Sequence, residues 1–466
     1  MTVIDPPRRA ILASVGMLGV SGCLESITGS VSKEQFPSDR DDDWRMYGCD
    51  SGRTRFVPDA TLPRDEPEVI WEHGVGASGW YPPIVADGTV YCQHPNGLFV
   101  IDRDTGEGPN VSTHGGFGRG IGPMALGSTT IYRDGVLVVP YGETVVGYAA
   151  GPDSWPRSVD GLGHARARWW ADGESVSTEA FQSGFGEPQW LGSPLVVDDA
   201  IITLHPVSTT VAASDPNDGQ RRWRFDFETA APVDDGHVDI GGHVVDSTTE
   251  TVVIVGGYRE SNSVLRSPLL AGVDLEEGTL VWSSDRPERQ GPTASSDAIL
   301  AHDGDVYIAE LTDEYDELEV LALDAATGDR RWRRTFEHST HVGLTVDETT
   351  VYHVGTSPAS GSDPLTIVAL DRDEGRVQWE VTLDDPPGSK WSPHTPPPTA
   401  ADDLLLVPGQ SGLHALERTS GDRLWTFTEM VGTSGGSDTE RDGLTPAVVS
   451  GDRIVFGTTL MLYGLE

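Results

Sequence analysis

Lysine is almost missing from this chain. Lys33 and Lys390 are the only two in 466 residues, so nearly all of the 32 basic residues are arginine, set against 73 acidic ones. The resulting formal net charge of −41 excludes nucleic acids and anionic membrane surfaces as partners, because both are polyanions. Cysteine is scarce too, with Cys23, Cys49 and Cys92 as the whole inventory and no two of them adjacent. The apolar run at the N-terminus, Ala10 to Val20, covers about 11 residues, short of the roughly 20 that a membrane-spanning helix needs. No glycine-rich phosphate loop opens a helical pattern, and no Gly-x-Ser-x-Gly elbow is present. Gly115 to Gly120 is glycine-dense, but no helical periodicity follows it, which makes it a flexible connection.

What the chain does have is a repeat. An acidic residue is followed four positions later by glycine and four positions after that by tryptophan: Asp215, Gly219, Trp223; Asp274, Gly278, Trp282; Asp324, Gly328, Trp332; Asp371, Gly375, Trp379; and Glu417, Gly421, Trp425. A sixth set, Asp102 and Gly106, carries Asn110 in the tryptophan position. The acidic positions recur every 46 to 59 residues once the Asp102 to Asp215 gap is read as two units. That period belongs to four-stranded propeller blades. Each unit predicts an apolar strand, a turn in which the carboxylate holds backbone amides and glycine supplies a positive φ, and an outer strand whose tryptophan fills the gap to the next blade. Upstream hairpins at Asp87-Gly88, Asp134-Gly135 and Asp303-Gly304 read as type I′ turns.

Blade counting gives an all-β, eight-bladed propeller of four-stranded antiparallel blades, with seven as the alternative. Outer-strand tryptophans are expected at Trp71, at Trp169 or Trp170, and in the five complete sets. The blade around Trp155 to Trp170 is the doubtful one, since Gly151 to Ala167 replaces its turn. The last unit supplies only three strands before the chain ends, and Glu68 to Glu72 is expected to provide the fourth and close the ring.

Leu321 to Trp332, Val368 to Trp379 and Ala415 to Trp425 resemble the pyrroloquinoline-quinone (PQQ) repeat, and Trp44 to Phe56 is similar to the segment that leads into the first blade in that family. The resemblance covers nearly all of residues 44–466 and implies the propeller fold. Function is less constrained, because quinoprotein dehydrogenases and cofactor-free propellers share the repeat. A PQQ dehydrogenase of this kind is expected to show adjacent cysteines, an acidic calcium site and a catalytic aspartate. The cysteine pair is missing here.

The N-terminus reads as an export signal over 1–22. Arg8-Arg9 precede the short apolar run, as in twin-arginine signals, and Val20-Ser21-Gly22-Cys23 matches a lipobox that makes Cys23 the lipid acceptor. Residues 23–43 form a polar, acidic tether and 44–466 the propeller. Acidity spread along the chain together with lysine depletion resembles proteins of extremely halophilic archaea, in which salt screens the repulsion. Export to an oxidising compartment allows a Cys49–Cys92 disulfide, with two free thiols as the alternative.

Other candidate sites fare worse. His338-Ser339-Thr340-His341 reads as a solvated turn between blades, and Asp215 to Gly219 and Asp313 to Glu317 as acidic surface, neither following the calcium-loop pattern. Trp80, Trp190 and Trp391 stand before the proline-led segments that open inner strands, outside the outer tryptophan series, and are candidates for an aromatic rim at the mouth of the central channel. The reading is a monomeric, non-catalytic lipoprotein propeller on the outer face of the cytoplasmic membrane. It resembles the lipoprotein propellers of barrel assembly, is expected to bind no metal or cofactor, and scaffolds an extracytoplasmic protein. The alternatives are a quinoprotein dehydrogenase using PQQ with calcium, and an extracellular polysaccharide- or ligand-binding propeller.

Overall fold

The computed structural model describes residues 43–466, apart from 75–80, 95–96, 109, 114–122, 142–143, 151–162, 166, 172–192, 206–208, 232–235, 261–266, 286–297, 312–316, 338–339, 357–363, 386–395, 410, 429–444 and 459–460. The strands form eight sheets, each built on four antiparallel strands, which makes eight blades and excludes seven. In chain order the blades span residues 84–113, 125–170, 195–226, 236–285, 299–336, 340–383, 399–427 and 448–465.

The fifth blade shows why these residues form these strands. Its middle strands, Asp305–Leu311 and Leu318–Asp324, are covered by neighbouring blades on both faces and read as nearly unbroken apolar runs, with Val306, Tyr307, Ile308 and Val320 all fully buried. The outer strand Arg330–Phe336 has one covered face, so Trp332 is buried between exposed arginines. One core cluster joins Val253 and Leu270 of blade 4 to Ile308 and Val320 of blade 5 and to Val351 and Val368 of blade 6, so the blades share cores across their seams.

The acidic turn works as the repeat implies. Asp324 Oδ1 accepts the amides of Ala326 and Thr327, both at 3.0 Å. Gly106, Gly219, Gly278, Gly328, Gly375 and Gly421 all have φ between 63° and 77°. The tryptophan acts on the following blade. Trp332 Nε1 donates to the Arg372 carbonyl at 2.8 Å, and its ring lies against Gly375. Trp71, Trp169, Trp223, Trp282 and Trp379 do the same at their own seams, donating to the carbonyls of Arg103, Pro216, Leu275, Ala325 and Arg418, whereas Trp425 donates to the carbonyl of Pro63 in the segment that precedes the first blade. Trp169 rather than Trp170 therefore belongs to the series.

The seam between blades 1 and 2 lacks this staple, because Asn110 occupies the tryptophan position. A different device takes its place. The short strand Gly163–Ala165 adds in parallel to Asn110–Thr113 of blade 1, and one residue later the chain enters Ala167–Trp170, the outer strand of blade 2. The doubtful blade is thus complete, and its atypical connection ties it back to blade 1.

At the other end of the chain, Val69–Gly74 pairs antiparallel with Met461–Leu465, supplying the fourth strand of the last blade. Asp87-Gly88 and Asp303-Gly304 have the two successive positive φ values of type I′ turns. Asp134-Gly135 departs from that expectation: only Gly135 has a positive φ, and its N–H bonds the Tyr132 carbonyl in a wider turn.

The expected Cys49–Cys92 disulfide is not formed, and both cysteines are free. Cys92 lies within the core cluster formed by blades 7, 8 and 1, its Sγ directed at the Tyr81 carbonyl, while Cys49 packs against that cluster from a left-handed turn at φ 78°. Burial pushes both thiols well above the ordinary range, aided at Cys49 by Asp50 and Asp43. Thr340 and His341 also depart from the expected turn, since they open the inner strand Thr340–Val346 of blade 6.

Candidate functional site

The innermost strands of a propeller line its central channel. Here the segment that precedes the first blade runs around the inside of the ring and touches the innermost strand of one blade after another. Trp44 exchanges two backbone hydrogen bonds with Val85 of blade 1, and the Arg45 carbonyl accepts from Leu126 of blade 2. Met46 Sδ accepts from Val196 of blade 3. The carbonyls of Ser51, Gly52, Thr54 and Arg55 then accept from Val245, Ala301, Val346 and Ala400 of blades 4 to 7, and Thr61 donates to Gly451 of blade 8. Phe56–Val57 adds as a short parallel strand to Thr399–Ala401 of blade 7.

Local chemistry makes this path possible. Gly48, Cys49, Arg53 and Arg55 all have positive φ, which lets about ten residues turn inside the ring. Gly52 lies so close to the Ala301 carbonyl that a Cβ would stand 2.1 Å from its oxygen. Asp50 accepts from the Thr54 amide at 3.0 Å and from its hydroxyl, which holds the bend closed. Burial raises the Asp50 carboxyl above its usual range, and the Thr54 bonds offset part of that rise.

A second layer lies over this backbone loop. Arg53 and Arg55 are fully buried and stack on the Tyr47 ring at 5.4 and 5.2 Å. Their guanidiniums reach to different sides of the ring: Arg53 donates to the carbonyls of His243 and Ser193, and Arg55 to that of Leu344 at 3.0 Å. The backbone contacts of the segment at Val245, Ala301, Val346 and Ala400 fall near the hairpin ends of the inner strands, and Asp43 accepts the amide of Asp87 in the first hairpin at 2.9 Å. The lead-in segment therefore floors the channel at the face of the short turns. The inner strands begin, and the outer strands end, at the opposite face.

Two further polar clusters are buried. At blade 7, Asp385 accepts from His414 Nε2 at 2.7 Å and from the Ser411 amide and hydroxyl, and His414 Nδ1 meets the Thr426 hydroxyl at 3.0 Å. Every partner in that network is satisfied, which suits a structural tie. Between blades 3 and 4, Ser193 and His243 are fully buried beside Arg53. Burial and then Arg53 push the His243 imidazole down to about 3, against the pull of the nearby Ile202 carbonyl, so the ring is neutral at ordinary pH.

The residues singled out in the sequence map unevenly onto this frame. The repeat residues sit in the acidic turns and at the seams. Cys23, Trp80, Trp190, Trp391, His338 and Asp313 lie outside the described residues. Asp215 is a turn residue: its Oδ1 accepts the Asn217 amide and its Oδ2 takes Arg222, in keeping with acidic surface. Among the described residues no group of three or more His, Cys, Asp or Glu side chains is placed to hold a metal ion. No described helix is long and apolar enough to cross a membrane. Arg53, Arg55, Ser193 and His243 had no sequence signal beyond the presence of two arginines in the lead-in segment.

A closed ring of PQQ-type repeats floored by its own lead-in segment defines a PQQ-like β-propeller. The chain belongs to the family described as outer membrane protein assembly factor BamB, whose profile matches residues 165–342 and 316–466. Among solved structures it is similar to the quinohemoprotein alcohol dehydrogenase of Comamonas testosteroni, with a TM-score of 0.59 at 13% identity over 91% of this chain and 80% of that one. It is also similar to the computationally designed Ika8 protein, with a TM-score of 0.53 at 12% identity over 86% and 99% of the two chains. BamB from Moraxella catarrhalis aligns over 86% of this chain and 97% of its own, with a TM-score of 0.47 at 16% identity. No curated protein matches the chain in sequence.

Proposed function

We propose that this protein is a non-catalytic scaffold, tethered to the outer face of the cytoplasmic membrane through a lipid on Cys23, which engages an extracytoplasmic protein with the face that carries the inter-blade connections. The observation that carries this reading is the floored channel. With the lead-in segment bonded to every blade at the short-turn face, the ring offers a single recognition face. Trp80, Trp190 and Trp391, which the sequence places just before the segments that open inner strands, are the candidates for that face. Aromatic rings there would supply contact area at low entropic cost. Membership in a family described by an assembly factor favours a protein partner over a substrate. The test is titration with PQQ and calcium, followed by visible spectrum and dye-linked alcohol oxidation. The scaffold reading expects no cofactor absorption band and no dye reduction. Saturable PQQ-dependent dye reduction would replace it with the dehydrogenase reading.

A further inference from the structure

We infer that the inner end of the seam between blades 3 and 4 is a sealed binding site for a small monatomic anion of the halide class, held by Ser193, His243 and the Arg53 guanidinium. Three observations converge on it. His243 is two residues before Val245 in the strand Gly236–Asp246, and Val245 is buried in the core cluster between blades 3 and 4, so strand alternation directs the His243 ring into that seam; Ser193 is buried at the entry to the strand that opens with Leu195, a member of the same cluster. Ser193 Oγ and both ring nitrogens of His243 are fully buried and, among the described residues, make no well-formed hydrogen bond. Buried polar atoms are seldom left in that state, and each one costs about 1–3 kcal/mol.

The third observation is the guanidinium. Arg53 donates to the His243 carbonyl at 3.1 Å and to the Ser193 carbonyl at 3.4 Å, so it bridges the backbones of the two residues whose side chains want partners. That arrangement decides between ligands. The hydroxyl and the neutral imidazole each offer one donor besides an acceptor. What favours an anion over a water molecule is the positive charge of Arg53, which lies on the backbones of both residues in a fully buried place. The imidazole proton can face either the Ile202 carbonyl or the cluster, and an anion draws it to the cluster. Ser193, His243 and Arg53 are all fully buried, which favours a small ligand over a large one.

The test is a crystal of the full chain grown in sodium bromide, with anomalous data collected at the bromine edge. The expected result is an anomalous peak within about 3.5 Å of Ser193 Oγ and the His243 ring, strongly reduced in Ser193→Ala. Density at that place without anomalous signal, or no density, would overturn the assignment by showing water only or a dry seam. A solution measurement guards against a variant that packs differently. At matched ionic strength and cation, chloride and bromide should raise the melting temperature of the wild-type protein above its value in methanesulfonate, whose anion is too large for the seam, and Ser193→Ala should shrink that difference at least twofold. Equal melting temperatures in all three salts would contradict the site. This outcome is independent of the scaffold reading, which concerns exposed connections between blades and not a buried seam.

Discussion

The seam between blades 5 and 6 allows the locking role of tryptophan and glycine to be separated quantitatively. Trp332 is buried, bonds the Arg372 carbonyl at 2.8 Å, and has ring atoms 2.6 Å from where a Cβ on Gly375 would stand. Trp332→Ala removes a buried indole and should cost about 3–5 kcal/mol. Trp332→Phe keeps most of the volume and loses the hydrogen bond, for about 1–2 kcal/mol. Gly375→Ala should cost about 1–2 kcal/mol for holding alanine at φ 63°, plus about 1–3 kcal/mol for the clash with the ring. The clash exists only while the ring is there. In the Trp332→Ala background the same glycine substitution should therefore cost only the conformational part, so the double mutant falls short of additivity by about 1–3 kcal/mol. Urea unfolding in molar sodium chloride, read as midpoint shifts at constant slope, measures all four species. Costs that add to within about 0.5 kcal/mol would refute the ring-on-glycine lock.

Three other outcomes are expected. Cys23→Ser should move the protein from the membrane fraction to the medium, and a variant that survives carbonate washing on the membrane would rule out the lipid tether. Lowering salt from 1 M to 0.1 M lengthens the screening distance from about 3 to about 10 Å, so at a net charge of −41 the β signal in circular dichroism should melt earlier; an unchanged melting temperature would remove charge repulsion from the account. His243, held down to about 3 in the folded protein against about 6.5 when unfolded, contributes its full share of stability above pH 6.5, and that share is lost as pH falls from about 6.5 to 3 because the unfolded chain takes up the proton first. The slope of stability against pH over that window should flatten in His243→Gln, and an unaltered slope would show that another group titrates.

Much of the ring could be read in the sequence because its determinants are local. Asp324, Gly328 and Trp332 lie within nine residues, and the turn they build depends on hydrogen bonds and a positive φ inside that stretch. Closure by Val69–Gly74 was legible by elimination, since a three-stranded last blade leaves an edge to fill. The lead-in segment was not legible as a floor. Its meaning rests on contacts such as Arg55 to Leu344, 289 residues apart, which no spacing encodes. The Ser193 and His243 pair was invisible for the same reason: one is an ordinary residue just before a strand and the other an ordinary residue within one, and they come together only when blades 3 and 4 meet. The disulfide expectation failed because compartment and cysteine count speak to permission alone. Where Cys92 faces is set by its strand, and where Cys49 sits is set by a left-handed turn.

The central claim is that recognition happens at one face only. A photo-crosslinking amino acid placed in turn at Trp80, Trp190 and Trp391, and at Asp329 in a short turn on the floored face, tests it directly when cells are irradiated in their native salt. The account predicts a shared adduct of one mass from the three tryptophan positions and none from Asp329. Adducts from Asp329 alone, or the same adduct from all four positions, would contradict it.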